Sequence, residues 1–389
     1  MPSYNFDQII ERKNTDSTKY NNLKKLYGRD DLIPLWVADM DFLSPPLVID
    51  ALVKRAQHGI FGYPFVSDSF YHSIIHWQKN IHHWDVAREE ISFVPGIVKG
   101  IAFAIDAFTC EGDKIIIQSP VYHPFRIIPE CHKREIVYNP LIFDGMQYHM
   151  DLQHLEELVN KNDCKMLILS NPHNPGGKIW SIEELSELAT ICAAHNILVI
   201  ADEIHADLTL NGHKHIPFAS VSEQAAQNCI VFSAPSKTFN IAGIVASYAI
   251  IKNEKIRDKY YHFLKISELD SGTIFAYTAL QAAYEHGRDW LEELKKYLWE
   301  NVLFTDNFFK ENIPQIKAVL PEASFLLWLD CRKLALSQEK LIDLFVNKAR
   351  LALNDGAMFG KEGIGFMRMN IGCPRSILAQ ALKQLKEAI

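Results

Sequence analysis

The chain has 389 residues, a hydrophobic content of 48%, a charged content of 22% and a formal net charge of −7. This length allows two domains with large buried cores, and the composition is that of an ordinary soluble globular protein. The acidic balance gives no electrostatic footprint for nucleic acid or an anionic membrane, so neither is expected as a partner.

The cysteines and the N-terminus indicate the compartment. Seven cysteines are scattered along the chain without a Cys-x-x-Cys pair, which is typical of free thiols in a reducing cytosol. The start, residues 1–7, lacks the basic and apolar regions of a signal peptide, and no apolar run is long enough to span a membrane. We therefore expect a cytoplasmic protein.

The first thirty or so residues are polar and irregular, and the segment 36–42, Trp-Val-Ala-Asp-Met-Asp-Phe, follows them. Its mixture of acidic and apolar residues predicts either a loop that closes onto a site or an N-terminal arm packed on the core. A helix is predicted over 47–59, because two prolines precede it and Gly59 follows it. An aromatic turn containing Tyr63 comes next.

A second helix is predicted over 69–84, and it carries His72 and His76 one helical turn apart. The glutamate that accompanies such a pair in metalloproteases is missing, so we expect no metal site. The strand 91–94 then leads through a glycine turn into a helix over 97–108. This arrangement would offer the backbone N–H groups of Gly96, Ile97 and Val98 to an anion.

Apolar strand-like runs and amphipathic helices alternate through the middle of the chain. This alternation predicts an α/β fold with a mostly parallel sheet that helices cover on both faces. The predicted strands are 114–117, 135–138, 166–170, 197–201, 230–233 and 245–251, with helices at 152–159 and 182–195 among them. Ligands of such sheets bind at the carboxyl ends of the strands.

Polar or aromatic side chains follow four of these strands: Tyr122, Asn174, Asp202 and Lys237. Taken singly, Tyr122 is explained by core packing, Asn174 by a turn and Asp202 by a helix cap. Because all four reach one edge of one sheet, a binding site explains them better together.

Lys237 lies between the apolar segments 229–232 and 241–246. Since an unpaired buried ammonium is costly, Lys237 is either half of a buried ion pair or neutral enough to form a Schiff base with a carbonyl. Ser233 and Ser236 place hydroxyl groups beside it that could hold a phosphate.

A long helical region is predicted from Glu254 past Gly287 to Lys310, followed by a smaller α+β domain. We expect an N-terminal arm joined to the small domain over 1–46, a large domain over 47–286 and a C-terminal domain over 287–389. The small domain has predicted strands at 316–319, 324–329 and 366–371, and helices at 339–349 and 376–387. Arg368 lies on an apolar strand, where it needs an anionic partner, either a structural carboxylate or a bound ligand.

Pyridoxal 5′-phosphate would use all of these groups. Lys237 would form the Schiff base with its aldehyde, and Asp202 would keep its ring nitrogen protonated. Asn174 would bind its phenolic oxygen, Tyr122 would stack on its ring, and Arg368 would hold the carboxylate of an amino-acid substrate.

Four motifs resemble, in order, those of the fold-type I pyridoxal-phosphate enzymes, which have the aspartate-aminotransferase-like fold. They are Asn-Pro-His-Asn-Pro at 171–175, Asp-Glu-Ile-His at 202–205, Ser-Ala-Pro-Ser-Lys-Thr-Phe-Asn at 233–240 and Arg-Met-Asn-Ile-Gly-Cys-Pro-Arg at 368–375. Within this group the chain resembles the cystathionine β-lyase (C–S lyase) subgroup of cystalysin and the maltose-regulon modulator. The segment 36–42, the Asp-Glu-Ile-His motif and Leu-Asn-Asp-Gly at 353–356 support that assignment.

The resemblance implies a homodimer with shared active sites, in which Tyr63 of the neighbouring subunit contacts the cofactor phosphate. It implies that His205 binds the cofactor and that the substrate lies near Trp36, Val37 and Ala38. The implied reaction is α,β-elimination from cystathionine or related cysteine S-conjugates, giving a thiol, pyruvate and ammonia.

Two departures from class I aminotransferases weaken an aminotransferase reading, which stays open as the alternative. His205 stands where they have a tyrosine, and Val245 stands where they have a phosphate-binding arginine. His123 occupies the place of a second tyrosine in some C–S lyases, which leaves the sulfur substrate open. A lyase that also binds a regulatory protein partner is a further alternative.

Overall fold

The computed structural model describes residues 4–389, so residues 1–3 of the expected N-terminal arm lie outside it. Its centre is a seven-stranded sheet. The strands are β1 Ile91–Val94, β2 Lys114–Ile117, β3 Glu135–Tyr138, β4 Cys164–Ser170, β5 Leu198–Asp202, β6 Cys229–Ser233 and β7 Ser247–Ile250.

The strand order across the sheet is β1-β7-β6-β5-β4-β2-β3. Strand β7 is antiparallel to both of its neighbours, and every other neighbouring pair is parallel. The predicted, mostly parallel sheet is therefore confirmed. Since β6, β5, β4 and β2 are successive neighbours, the segments that follow them emerge side by side at one edge.

Both faces of the sheet are buried, because alternate side chains of its strands enter two different apolar clusters. Leu167 and Val231 belong to the cluster on one face, whereas Ile168 and Phe232 belong to the cluster on the other. This explains why the strands read as continuous apolar runs rather than as alternating ones.

Helices cover the sheet and extend into the C-terminal part. The α-helices are Thr18–Asn21, Leu23–Tyr27, Pro46–Gln57, Asp68–His82, Ile97–Phe108, Pro124–Cys131, Leu152–Lys161, Ile182–Ala194, Glu223–Gln227, Pro235–Thr238, Glu254–Ile266, Ile274–His286, Arg288–Asn312, Gln338–Asp343 and Arg375–Ala388. Residues Leu344–Lys348 form a π-helix. Among the described residues, no helix combines the length and apolar character that crossing a membrane requires.

The helical region expected from Glu254 to Lys310 is three helices rather than one. The first ends at Ile266, and a new helix begins at Ile274, where Thr273 Oγ1 accepts the N–H of Ala276 at 3.1 Å. Gly272 lies between them, and a Cβ there would approach the ring of Phe93 to 2.5 Å. Contact with the sheet therefore imposes a break that helical periodicity does not show.

A second, four-stranded antiparallel sheet lies in the C-terminal part. It consists of β8 Lys317–Val319, β9 Leu326–Asp330, β10 Asn354–Asp355 and β11 Phe366–Asn370, in the order β8-β9-β11-β10. Nearby, Ile33–Pro34 pairs in parallel with Leu351–Ala352, which ties the N-terminal segment to this part. A two-stranded hairpin, Ile142–Phe143 with Tyr148–His149, completes the strands of the described chain.

Candidate functional site

A cavity of about 360 Å³ opens at the carboxyl edge of the central sheet. Ten of the residues predicted from the sequence to form the site line it: Ala38, Gly96, Ile97, Val98, Tyr122, Asn174, Asp202, His205, Ser236 and Lys237. Segments distant in the chain therefore meet where the order of the strands predicts.

Lys237 lies on the short helix Pro235–Thr238, directly after β6. Its Nζ donates to the carbonyl oxygen of Ala38 at 2.5 Å. Burial lowers the pKa of Lys237 to about 8, although Asp39 and Asp202 act to raise it. Much more of the amine is therefore neutral near physiological pH than in an exposed lysine, as an attack on a carbonyl requires.

Asp202 is the last residue of β5 and is 7% exposed. Burial raises its pKa to about 7, while the N–H of Ile204, which donates to Oδ1 at 3.1 Å, and the charge of Lys237 act to lower it. A carboxyl group held this way at the cavity wall would be stabilised in its ionised form by a cationic ring nitrogen.

His205 is buried in the same wall, and burial lowers its pKa to about 3. Its ring is therefore neutral at physiological pH. Within residues 4–389, Nδ1 of His205 is a buried atom with no hydrogen-bond partner. A neutral imidazole without a partner has hydrogen-bonding capacity for a ligand.

Arg368 is 5% exposed, and no carboxylate pairs with it among the described residues. Its Nη1 donates to Asn174 Oδ1 at 3.0 Å, and its Nη2 donates to the carbonyl oxygen of Trp36 at 3.1 Å and to Asn354 Oδ1 at 2.6 Å. Burial lowers the pKa of Arg368 to about 10. A structural ion pair therefore does not explain this arginine, and its positive charge is available to an anionic ligand.

Tyr122 and His123 lie together above β2, with ring centroids 5.1 Å apart. Tyr122 lines the cavity, whereas His123 packs behind it toward Phe359. Burial lowers the pKa of His123 to about 4, with the charges of Arg368 and Arg126 acting in the same direction. His123 is thus a neutral ring close to the arginine.

The helix Ile97–Phe108 begins at the cavity, and Gly96 precedes it with φ +102°. The N–H of Gly96 is occupied, because it lies 2.9 Å from Ser247 Oγ. The next N–H groups, of Ile97 and Val98, are in the first helical turn and have no acceptor within the helix. They and the helix dipole make this end suitable for an anion.

Ser233 does not line the cavity in this chain, and its contact with a phosphate stays a prediction. It pairs in register with Tyr248, whose hydroxyl group is 2.8 Å from that of Tyr284. Ser233 therefore shares the face of the sheet that packs against the helix Ile274–His286. Both serines are close to Lys237 in the sequence, but only Ser236, on the following helix, lines the cavity. Their spacing to the lysine did not reveal this difference.

Four other predicted residues are outside the cavity lining in this single chain, and Arg368, which donates to the lining residue Asn174, is one of them. Trp36 and Val37 flank Ala38, but their carbonyl oxygens accept from Arg368 and Asn370. Tyr63 is fully exposed on the surface.

Sequence reasoning missed several residues of the lining, among them Lys99, Ser170 and Ser247. Lys99 is an exposed cation in the first turn of the helix, and it lines the same cavity as Val245. Its position three residues after Gly96 could have suggested this role. Ser247 could not be found in this way, because the antiparallel pairing of β7 with β1 brings it to the cavity.

The structure places His72 and His76 on the exposed face of the helix Asp68–His82. Over residues 4–389 no group of three or more histidine, cysteine, aspartate or glutamate side chains is arranged to hold a metal ion.

Known proteins resemble this chain along nearly its whole length. Cystathionine beta-lyase PatB of Bacillus subtilis is 40% identical over 385 residues, covering 99% of this chain and 100% of that protein. Cystalysin of Treponema denticola, whose crystal structure contains pyridoxal 5′-phosphate, has a TM-score of 0.96 and 34% identity, with 100% and 99% of the two chains covered. The pyridoxal-phosphate-bound C–S lyase of Staphylococcus hominis has a TM-score of 0.92 and 31% identity, with 100% and 98% covered.

The sequence model of the family described as aminotransferase class I and II matches residues 30–385. Together with the ordered sheet and the lysine-bearing cavity at its edge, this match shows that the chain belongs to the class I and II aminotransferase family.

Proposed function

We propose that this protein is a pyridoxal-phosphate-dependent C–S β-lyase that acts on cystathionine or a related cysteine S-conjugate. The observation that carries the proposal is one cavity lined by the partly neutral amine of Lys237, the carboxyl group of Asp202 and Asn174. The cation Arg368, which has no carboxylate partner among the described residues, donates to Asn174 from behind this lining. Relatives that cover the whole chain and are named cystathionine β-lyase or C–S lyase support it.

The residues of the cavity fit pyridoxal phosphate. Asp202 would face its ring nitrogen, Asn174 and His205 its phenolic oxygen, and Tyr122 the face of its ring. The free N–H groups of Ile97 and Val98, with Ser236 and Lys99, would hold its phosphate. The unpartnered Nδ1 of His205 and the raised pKa of Asp202 are the features that such a ligand would satisfy.

When bound, the cofactor supplies an electron sink for the bond that breaks at the α-carbon of an amino acid. Lys237 acts as the base that takes the α-proton, for which its lowered pKa suits it. Arg368 binds the substrate carboxylate and thereby orients the α-hydrogen toward Lys237.

The atoms balance without an oxidant or a second substrate. The Cα–H and Cβ–S bonds break, the sulfur leaves with a proton as the thiol, and water hydrolyses the remaining three-carbon fragment to pyruvate and ammonia. From cystathionine the thiol is homocysteine.

The proposal is tested by a coupled pyruvate assay across cystathionine, cystine, cysteine and cysteine S-conjugates. We expect pyruvate without any added keto acid from at least one of them. Absence of pyruvate from all of them would overturn the proposal.

An aminotransferase is the second candidate, because the family itself is named for that activity. Val245 argues against it: this β-branched residue lines the cavity with φ +57°, where class I aminotransferases have the phosphate-binding arginine. If an amino acid and 2-oxoglutarate turn over while no substrate yields pyruvate, the aminotransferase is correct.

We also infer a homodimer with shared active sites. Ile60, Phe61, Tyr63 and Phe65 form a run of apolar side chains, each at least 60% exposed. Covering such a patch with a second copy would stabilise it, and Tyr63 would then be free to reach the partner's phosphate site. The division at 46 and 286, and a cytoplasmic location, stay predictions.

A further inference from the structure

The segment 36–42, named here the 36–42 loop, is held from the N-terminal side by two cations that the cavity does not contain. Arg12 Nη1 donates to Asp39 Oδ1 at 3.0 Å and to Asp41 Oδ1 at 2.6 Å, and its Nη2 donates to Asp39 Oδ2 at 2.8 Å. One guanidinium group therefore bridges both acidic residues of the loop. Such forked contacts fix geometry as well as charge.

Lys19 is the second cation, and its side chain is 0% exposed. Its Nζ lies 2.7 Å from Asp41 Oδ2, and its backbone oxygen accepts from Trp36 Nε1 at 3.0 Å. Because a fully buried ammonium is costly without compensation, this contact is strongly coupled to the position of Asp41. Two cations and two carboxylates make the cluster neutral.

The opposite side of the loop contacts the lysine-bearing segment and the small sheet. Asn240, three residues after Lys237, accepts the N–H of Met40 at 2.9 Å and donates to the carbonyl oxygens of Met40 and Phe42 at 2.9 and 2.7 Å. Asn370 donates to the carbonyl oxygens of Val37 and Asp39, both at 2.6 Å.

Ala38, at the centre of the 36–42 loop, contacts the amine of Lys237. The carbonyl oxygen of Ala38 accepts from Lys237 Nζ, and Ala38 lines the cavity. A displacement of the loop would thus move an atom that contacts the amine.

We propose that Arg12 and Lys19 are positioning residues, which hold the 36–42 loop in register with Lys237 and the substrate. The inference rests on the proposed role of Lys237. It gives a function to the polar N-terminal segment, whose cations act through Asp39 and Asp41 without touching the substrate.

Arg12→Met removes the fork and leaves Asp39 without its guanidinium partner. Arg134→Met is the matched control. Arg134 is also largely buried and donates to Thr109 Oγ1 at 2.8 Å and to Thr109 O at 2.7 Å, but it directly precedes β3, at the amino edge of the sheet. Arg12→Lys keeps the charge but cannot make the forked contact. Its hydrogen-exchange rate and its KM should lie between those of the wild type and Arg12→Met.

The measurements are made on the holoenzyme of each variant. Hydrogen exchange of a peptide covering residues 36–42 should be at least roughly tenfold faster in Arg12→Met than in Arg134→Met. The hydrogen bonds that protect the backbone N–H groups of this peptide form only while the loop is held in place. The KM should rise roughly tenfold while the cofactor stays bound, whereas Arg134→Met should leave KM unchanged.

Equal exchange of this peptide in the two variants, or an unchanged KM in Arg12→Met, would overturn the proposal. The exchange measurement needs no substrate, so it separates this inference from the proposed function. A wild-type protein without lyase activity would contradict the proposed function. An active enzyme whose Arg12→Met and Arg134→Met variants exchange equally would contradict the positioning role.

Discussion

At the scale of single residues, opposing influences set the pKa of the Lys237 amine. Burial and Arg368 favour its neutral form, whereas Asp39 and Asp202 favour its ammonium form. Apolar neighbours in the sequence predicted the burial, and the motif predicted Asp202. The sequence offered closure of the 36–42 segment onto a site as one of two alternatives. It did not identify Asp39 as a neighbour of the amine, because that segment lies about two hundred positions earlier and only the tertiary structure brings it near.

Replacing Lys237 with alanine should abolish pyruvate formation and the visible absorbance of the bound cofactor. For the wild type, burial lowers the pKa of the amine to about 8, so the rate of cofactor uptake by the cofactor-free protein should rise as the pH passes through about 8. Stopped-flow absorbance across pH 6–10 measures this. A rate that is constant over that range would contradict the neutral-amine account.

Asp202 gives a second prediction at this scale. Burial raises its pKa to about 7, above the roughly 3.9 of an unfolded chain, so in the cofactor-free protein its contribution to stability is present at low pH and is lost as the pH rises toward 7. Cofactor-free Asp202→Asn should therefore gain stability over the wild type between about pH 4 and pH 7, as measured by urea unfolding. The loaded variant should be slower by on the order of a hundredfold, because the ring nitrogen loses its carboxylate.

At the scale of elements, the segment after β5 is linked to the lysine helix by a buried carboxylate. Asp207 Oδ2 accepts from Thr238 at 2.8 Å, and its Oδ1 lies 2.9 Å from Trp77 Nε1 and 2.8 Å from His82 Nε2. Through Asp207 the helix Asp68–His82 therefore supports the residue next to Lys237.

Burial acts to raise the pKa of Asp207, but the contacts with His82, Trp77 and Thr238 outweigh it and hold that pKa below its ordinary value. The stabilisation is thus present above the unfolded pKa of about 4 and is lost as the pH falls through the folded value. We expect Asp207→Ala to cost about 3 kcal/mol at pH 7 in urea unfolding and less below about pH 4.

Asp85→Ala is the control for that measurement, since Asp85 pairs with Lys79 on the exposed surface. It should not change the unfolding midpoint measurably. A pH-independent loss in Asp207→Ala would show that its charge is not what stabilises this link.

The elements themselves show what sequence patterns could and could not supply. The strands β2 and β3 and the helix Ile97–Phe108 have the predicted bounds, because their apolar runs end at turn residues. The helix Pro124–Cys131 was missed, since it is short and contains Pro129, which normally argues against a helix. Its position after Tyr122 is set by packing against the sheet.

At the scale of the whole molecule, the homodimer proposed above would cover the exposed apolar run 60–65. We expect a sedimentation mass near twice the 44.5 kDa of one chain. Phe65→Asp should dissociate the dimer, because a charge replaces an apolar side chain that is 90% exposed in the single chain. Tyr63→Phe should keep the dimer but weaken cofactor binding, and a variant that binds the cofactor as tightly as the wild type would rule out a shared site.

The most direct test of the central claim is the stoichiometry of the reaction with cystathionine in the absence of keto acid. A lyase that uses Lys237 predicts one pyruvate and one ammonia for each homocysteine released, and no products from Lys237→Ala. Turnover that depends on 2-oxoglutarate, or pyruvate formation that survives in Lys237→Ala, would contradict it.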